Sequence, residues 1–224
     1  AIPARMSIVE PALQTIPPDM RAMFVADEGQ TWVSADYAQV ELRVAAALSQ
    51  EPAWIEAFAA GEDVHQSVAD RVGVTRKTAK ALNFGVLYGG GKAALARAAD
   101  IDQVEAGAAI AAFRREHPRF TKWARALSES IVHSPDGIMM TRTGRPIPVD
   151  AAFAWRSTNY QIQSTARDLL AGALIEAEKA GLADAIRLPL HDEFLASVDE
   201  ADADDYLVAL TEAMGGVLDG VDIQ

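Results

Sequence analysis

Residues 187–198 read RLPLHDEFLASV, and three consecutive ionisable side chains, His191, Asp192 and Glu193, separate two mostly apolar runs. The flanking pattern predicts a strand, a tight turn and a second strand over about 186–198. Two carboxylates and an imidazole at a strand tip are costly unless something meets them there. A matching acid stands near the other end of the chain. In WVSADYAQVELRV, residues 32–44, Asp36 closes a predicted strand just before a helical run. Alternation along 31–37 predicts that much of this strand is buried, which makes an unpaired Asp36 costly as well. Two aspartates from neighbouring strands can hold a pair of Mg²⁺ ions ~3.5–4 Å apart, each stabilising one oxygen of an in-line phosphoryl displacement. Taken singly, either Asp also reads as a turn former or helix cap.

Outward from these two stretches the chain alternates little. Residues 22–37 predict two short strands around the turn DEGQ, and QVELRVAAALS has helical spacing, with Val40, Val44, Ala47 and Leu48 on one side. EPAWIEAFAAG and DVHQSVADRVG predict short helices ending on glycine, and a longer helix covers about 75–88, stopped by Gly89, Gly90 and Gly91. Two or three further helices cover roughly 92–133. PDGIMMTRTGRPIPV, residues 135–149, predicts a hairpin or loop, followed by a long helix over about 151–180. After the acidic hairpin, EADADDYLVALTEAMGG predicts an amphipathic helix. Strands cluster at both ends and helices fill the middle. The expected fold is therefore α+β, with first and last segments sharing a sheet and a helical lobe between them.

Half of the 224 residues are hydrophobic, ample for a packed core. No apolar run approaches the ~20 residues of a membrane span, and the N-terminus lacks the pattern of a secretion signal. The absence of cysteine excludes disulfides and thiolate metal sites and is compatible with a cytoplasmic location. The net charge of −12 argues at first against a nucleic-acid partner. Yet residues 71–167 carry 15 Lys and Arg against 7 Asp and Glu, a net +8, which leaves −20 for the remainder. A basic middle in an acidic chain is either a solvated face or a phosphate-facing lobe.

Within that basic stretch, Arg76, Lys80, Phe84 and Tyr88 recur every four residues. Each step of four drifts by only ~40°, so they form one slowly winding stripe ~18 Å long. Two cations followed by two rings match the order of groups in a nucleoside triphosphate: anionic phosphates, then sugar and flat base. The plain alternative is a surface helix whose aromatics dock on the core.

Three segments in order, DYAQVELRVAAALS, RKTAKALNFGVLYGG and LHDEFLASV, resemble the three catalytic motifs of the family A DNA polymerases, the bacterial DNA polymerase I and related phage replicative enzymes. EPALQTIP resembles the segment entering the palm, GEDVHQSVA the His-bearing fingers helix, and NYQIQSTARDLL the helix before the last motif. The resemblance covers almost the whole chain. It implies an antiparallel-sheet palm built from residues 1–60 and 151–224, with helical fingers, 61–150, inserted between.

By the same resemblance Asp36 and Asp192 are the metal-binding carboxylates, with the Tyr37 carbonyl as a further ligand and Glu193 as a secondary acid. The implied cofactor is a pair of Mg²⁺ ions, with Mn²⁺ a possible substitute. Arg76 and Lys80 would grip the dNTP triphosphate, Lys80 stabilising or protonating the departing pyrophosphate. Glu41 matches the steric gate against a ribose 2′-hydroxyl, and Gln39 and His65 line the same pocket. Phe84 would pack by the incoming sugar, and Tyr88 marks the helix end that occupies the template position. Arg5, Asn159, Gln163 and His191 resemble residues that contact primer-template DNA, His191 at the primer end. The implied partners are primer-template DNA and dNTPs, with no membrane.

The chain departs from the family pattern in places. PAR, residues 3–5, stands where the family shows TGR, Ser164 replaces a usual glycine, and the expectation is that thumb and exonuclease are absent. The expectation is a phage-like fragment or split-gene product, with a separate chain supplying thumb or exonuclease. Two alternatives remain open at this point. One is a primer-template-binding remnant that cannot catalyse alone; the other is an HD-type metal phosphohydrolase built on His65, His191, Asp192 and a further Asp.

Overall fold

The structure, a computed structural model, describes residue 10 and residues 12–224. After 3-10 turns at Leu13–Thr15 and Pro18–Met23 comes strand β1 (Gln30–Asp36). Seven helices follow: α1 (Val40–Ser49), α2 (Pro52–Ala59), α3 (Val64–Val72), α4 (Arg76–Leu87), α5 (Lys92–Ala99), α6 (Gln103–Glu116) and α7 (Pro118–Val132). A hairpin of β2 (Ile138–Met140) and β3 (Pro146–Pro148) then leads to the long helix α8 (Ser157–Lys179). The last part comprises β4 (Ile186–Leu190), β5 (Glu193–Asp199), α9 (Ala203–Met214), β6 (Gly216–Leu218) and β7 (Val221–Ile223). The helical middle and strand-bearing ends are the expected α+β pattern.

The central sheet is antiparallel with strand order β1-β5-β4, so segments from both ends of the chain do share it. Val33 and Ala35 of β1 and Phe194 and Ala196 of β5 are buried, opposite each other in register as Val33↔Ala196 and Ala35↔Phe194. Helix α9 lies against β1 and against α8, and the Tyr37 hydroxyl donates to the Met214 carbonyl at 2.8 Å, tying the end of β1 to the end of α9. Ser34 and Asp36 point to the open side. Asp36 is thus exposed, not on the buried side of its strand, and its cost comes from neighbouring charge as well as from partial desolvation.

Two local expectations differ from what forms, and the chain adds a short hairpin after α9. Residues 22–37 yield one strand rather than two: Pro18 starts a 3-10 turn that runs to Met23, and residues 24–28 have no ladder partner among the described residues. The long helix starts at Ser157, because Asp150 accepts from the Ala152 N–H in a 3-10 turn that Phe153 interrupts with φ −120° and ψ 28°. The final strand β7 pairs with β6 in a separate hairpin and does not join the central sheet.

Helix α1 is buried along nearly its whole length, from Val40 to Ala47, with α8, α7, α2 and β7 around it. Small side chains at Ala45, Ala46 and Ala47 let those neighbours approach closely. A second packing centre joins α2 to α6 and α7. There Trp54 lies 5.0 Å from Phe120, 5.2 Å from His117 and 6.0 Å from Phe113, ring centre to ring centre. Burying such rings contributes roughly 1.5–3 kcal/mol each. Beside them the buried Glu51 carboxylate accepts from the Arg119 and Phe120 N–H groups at 2.9 and 3.0 Å, capping the first turn of α7.

Two stability experiments follow from this centre. Glu51→Ala leaves two helix N–H groups without their acceptor and should cost about 2–4 kcal/mol in urea unfolding. His117 is fully buried, and burial holds its imidazole below the usual histidine range. The unfolded chain therefore takes up the proton first, so stability should fall as pH drops below the unfolded value of 6.5. That acid sensitivity should shrink in His117→Gln.

Candidate active site

The β4–β5 turn is only two residues long. Leu190 pairs with Glu193, which leaves His191 and Asp192 as the loop, His191 with a positive φ of 54°. A left-handed non-glycine residue at the first turn position costs about 1–3 kcal/mol. The hairpin twist favours that geometry, so the strain persists. Across the sheet Asp36 stands opposite Glu193, and the Tyr37 N–H donates to the Asp192 carbonyl at 3.1 Å, continuing the ladder one step past β1. The predicted convergence of Asp36 with Asp192 and Glu193 is therefore present. Ser34 lies on the same face and donates its hydroxyl to Glu193 at 2.6 Å, fixing that acid.

Three carboxylates meeting at one strand end repel. The Asp36 pKa is raised to about 6, first by partial burial, then by the charges of Asp192 and Glu193. Among the described residues no group of three or more His, Asp or Glu side chains is placed to hold a metal ion by itself. What the strands offer is an open set of hard oxygen donors with excess negative charge, the donor chemistry that suits Mg²⁺ or Mn²⁺.

Helix α4 supplies the other wall. Thr75 caps its start by accepting from the Thr78 N–H, and Gly89, with φ 68°, ends it, with Gly90 N–H donating to the Gly85 carbonyl at 2.7 Å. The stop leaves Tyr88 at the helix end, stacked on Phe84 with centroids 6.0 Å apart. The Tyr88 hydroxyl donates to one oxygen of Glu41 at 2.6 Å, and Gln163 of α8 donates to the other at 3.3 Å. Gln39, Glu41, Phe84, Tyr88 and Asp192, with Val40 and Leu42, line one cavity of about 140 Å³. Gln39 enters α1 with a left-handed φ of 57°.

Other expected residues sit around this cavity. His65 is buried behind Phe84, ring centres 5.9 Å apart, and its Nδ1 pairs with the Asn83 amide at 2.9 Å. It does not line the cavity. Burial, and then the nearby Arg76 and Lys80 charges, push its pKa down. Arg76 and Lys80 are exposed on α4 outside the cavity, and Arg76 Nε donates to Asp63 at 2.6 Å. Asn159 lies half-buried in the first turn of α8, and His191 is half-buried with its Nδ1 enclosed. Arg5 falls outside the described residues. The HD-type alternative needs ligands on helices, whereas His191 and Asp192 form a strand turn and His65 is engaged by Asn83.

Sequence reasoning overlooked Asp63, Asn83 and Ser34. Asp63 caps α3 through His65 and Gln66 N–H while holding Arg76, which keeps its carboxyl below the usual range, chiefly through the Arg76 bond. An Asp directly before VHQSV was a readable cap signal. Asn83, fully buried between Leu82 and Phe84, announced itself only as a polar residue that needs a partner.

With this geometry in place, a family model described as DNA polymerase family A matches residues 1–222. The chain belongs to DNA polymerase family A. Its family A relatives include the DNA polymerase of Mycobacterium phage L5, 38% identical over 226 residues, covering 98% of this chain and 38% of that protein. The DNA polymerase of Mycobacterium phage D29 is 37% identical over 234 residues, with 98% and 38% covered. DNA polymerase I of Rhizobium leguminosarum is 32% identical over 241 residues, with 94% and 24% covered. Among solved structures, the POL domain of Pol1 from M. smegmatis, in complex with DNA primer-template and dNTP, superposes with a TM-score of 0.87 at 29% identity. That superposition covers 100% of this chain and 45% of the Pol1 chain. The chain thus spans less than half the length of these relatives.

The carboxylate cluster of this family A chain makes a measurable demand. Because the folded Asp36 pKa is raised above 3.8, the unfolded chain ionises first, and the folding penalty grows from about pH 4 to pH 6 and is complete above that. Discounted for solvent screening, it is on the order of 1 kcal/mol. Asp36→Asn should therefore raise the metal-free melting temperature by roughly 2–4 °C at pH 8 and leave it unchanged at pH 3.5.

Proposed function

We propose that this chain carries out template-directed DNA synthesis, transferring a nucleotide from a dNTP to a primer 3′-hydroxyl. The observation that carries this reading is the meeting of Asp36 with Asp192 and Glu193 across β1 and β5, beside a cavity walled by Glu41, Phe84 and Tyr88. Family membership and the likeness to a polymerase domain described with primer-template and dNTP support it. In this reading residues 1–60 and 151–224 form the palm and 61–150 the fingers. A thumb, and an exonuclease if there is one, lie outside these residues or on a separate chain.

Asp36, Asp192 and the Tyr37 carbonyl would hold two Mg²⁺ ions, with Mn²⁺ as substitute. When bound, these ions stabilise the attacking and leaving oxygens of an in-line phosphoryl transfer. Glu193, fixed by Ser34, keeps the local field negative without leaving its strand position. Arg76 and Lys80 hold the triphosphate, and Lys80 gives a proton to the departing pyrophosphate. Phe84 packs against the sugar. Glu41, pinned from two sides by Tyr88 and Gln163, occupies the space a 2′-hydroxyl needs, so ribose is rejected by crowding. Tyr88 holds the template position until the next base displaces it. His191 touches the primer end, Asn159 contacts the primer-template nearby, and Arg5 and Gln163 probe the minor-groove acceptors of the new pair.

Single-nucleotide extension of a labelled primer-template, with Mg²⁺ and each dNTP in turn at high protein and low salt, tests this. Only the templated nucleotide should be added. Asp36→Ala and Asp192→Ala should each reduce addition by about 10²–10³-fold, the loss expected when transition-state charge goes unstabilised. Glu41→Ala should mainly admit ribonucleotides. Normal extension by either Asp variant would contradict the assignment.

A further inference from the structure

Arg43 is buried in α1 and plays no part in the chemistry above. Its guanidinium is spread over three contacts: Nε donates to the Ala38 carbonyl at 2.8 Å, Nη1 to the Asp222 carbonyl of β7 at 2.7 Å, and its centre lies 4.5 Å from the Phe58 ring centroid. The Ala38 N–H donates to the main-chain oxygen of Gln224 at 2.7 Å, so both polar groups of the Ala38 backbone are engaged. One residue earlier, Tyr37 is held at its N–H by the Asp192 carbonyl and at its hydroxyl by the Met214 carbonyl. One residue later, Gln39 takes a left-handed φ of 57°. Burial works against the Arg43 charge, while Asp222 favours it. A buried cation is weak evidence for stability, since an apolar side chain of similar volume often packs as well. What the guanidinium supplies here is direction. Its planar fork reaches two carbonyls and a ring at once, which a lysine ammonium cannot.

We infer that Arg43 is a positioning residue: it holds the Ala38 carbonyl to β7 and Phe58, one peptide beyond the Tyr37 carbonyl, whose own peptide is held at the Ala38 N–H by Gln224, and so steadies the aim of the Tyr37 carbonyl and of Asp36 toward bound metal. This rests on the polymerase reading, because it assigns metal to those two oxygens. The C-terminal hairpin then belongs to the site through Arg43, although none of its side chains lines the cavity. Partners that hydrogen-bond metal ligands directly change affinity 10- to 100-fold when replaced, and Arg43, acting one peptide away, belongs at the lower end, about tenfold.

The test is Mn²⁺ binding to the full chain, read as loss of the free-ion electron paramagnetic resonance signal, with folding followed by circular dichroism and urea unfolding. Asp36→Asn should lose the site. Arg43→Lys should fold cooperatively yet bind Mn²⁺ roughly tenfold more weakly than the unaltered chain. If Arg43→Lys does not fold, Phe58→Leu removes the ring face beneath the guanidinium and should weaken Mn²⁺ about threefold. A purely structural Arg43 would lower stability and leave Mn²⁺ affinity unchanged; that result, alongside loss in Asp36→Asn, overturns the inference alone. Mn²⁺ binding that is absent from the unaltered chain, or undiminished in Asp36→Asn, contradicts the functional reading and the inference with it.

Discussion

The pairing of β1 with β5 is the constraint on which the rest depends. Asp36 and Asp192 are separated by most of the chain, and the register Asp36↔Glu193, extended by the Tyr37 N–H to the Asp192 carbonyl, is what brings them together. A slip of one residue would exchange the faces of β1, turning Ser34 and Asp36 toward α9 and Val33 and Ala35 to solvent. The buried pairs Val33↔Ala196 and Ala35↔Phe194 oppose that slip. Apolar packing on one face thus sets the position of the charges on the other.

The site is assembled with its charges out of balance. Asp36 resists ionisation beside Asp192 and Glu193, and the Arg76 cation is tied to Asp63. The acids at the β1–β5 end repel one another and Asp63 holds the Arg76 cation, so in the proposed reading a cation and a polyanion would relieve both. Metal and triphosphate have those complementary signs. The exposed Arg76–Asp63 pair contributes little to stability, at most about 1 kcal/mol, so a phosphate can displace Asp63 at small cost. Glu41 is treated differently. Bonds from Tyr88 and Gln163 immobilise it, which suits a residue whose proposed work is steric.

Much of this was legible in the residues because each element carries its own signal. The HDE interruption of an alternating run marked the turn, and the fourfold spacing of Arg76, Lys80, Phe84 and Tyr88 marked the exposed face of α4. Glycines marked the helix ends. What stayed hidden depended on partners. Residues 24–27 have strand-like composition but no ladder partner among the described residues, and they run outside helix and strand alike. Asp36 was expected in a largely buried strand, yet it shares with Ser34 the open face of the sheet. His65 read as a pocket-lining residue and instead sits behind Phe84, held by Asn83, because helix packing rather than spacing decides its direction. The reach of Arg43 from α1 to β7 joins residues nearly two hundred positions apart, and no local pattern announces it.

The central claim is that Asp36 and Asp192 share a divalent-cation site across the β1–β5 pair. Its most direct measurement is anomalous X-ray scattering from crystals of the chain grown with Mn²⁺, a dNTP and primer-template. Peaks about 2.0–2.3 Å from carboxylate oxygens of both aspartates are the expected result. Peaks bound by only one of them, or by the Asp63 carboxylate with the β1–β5 end empty, would contradict it.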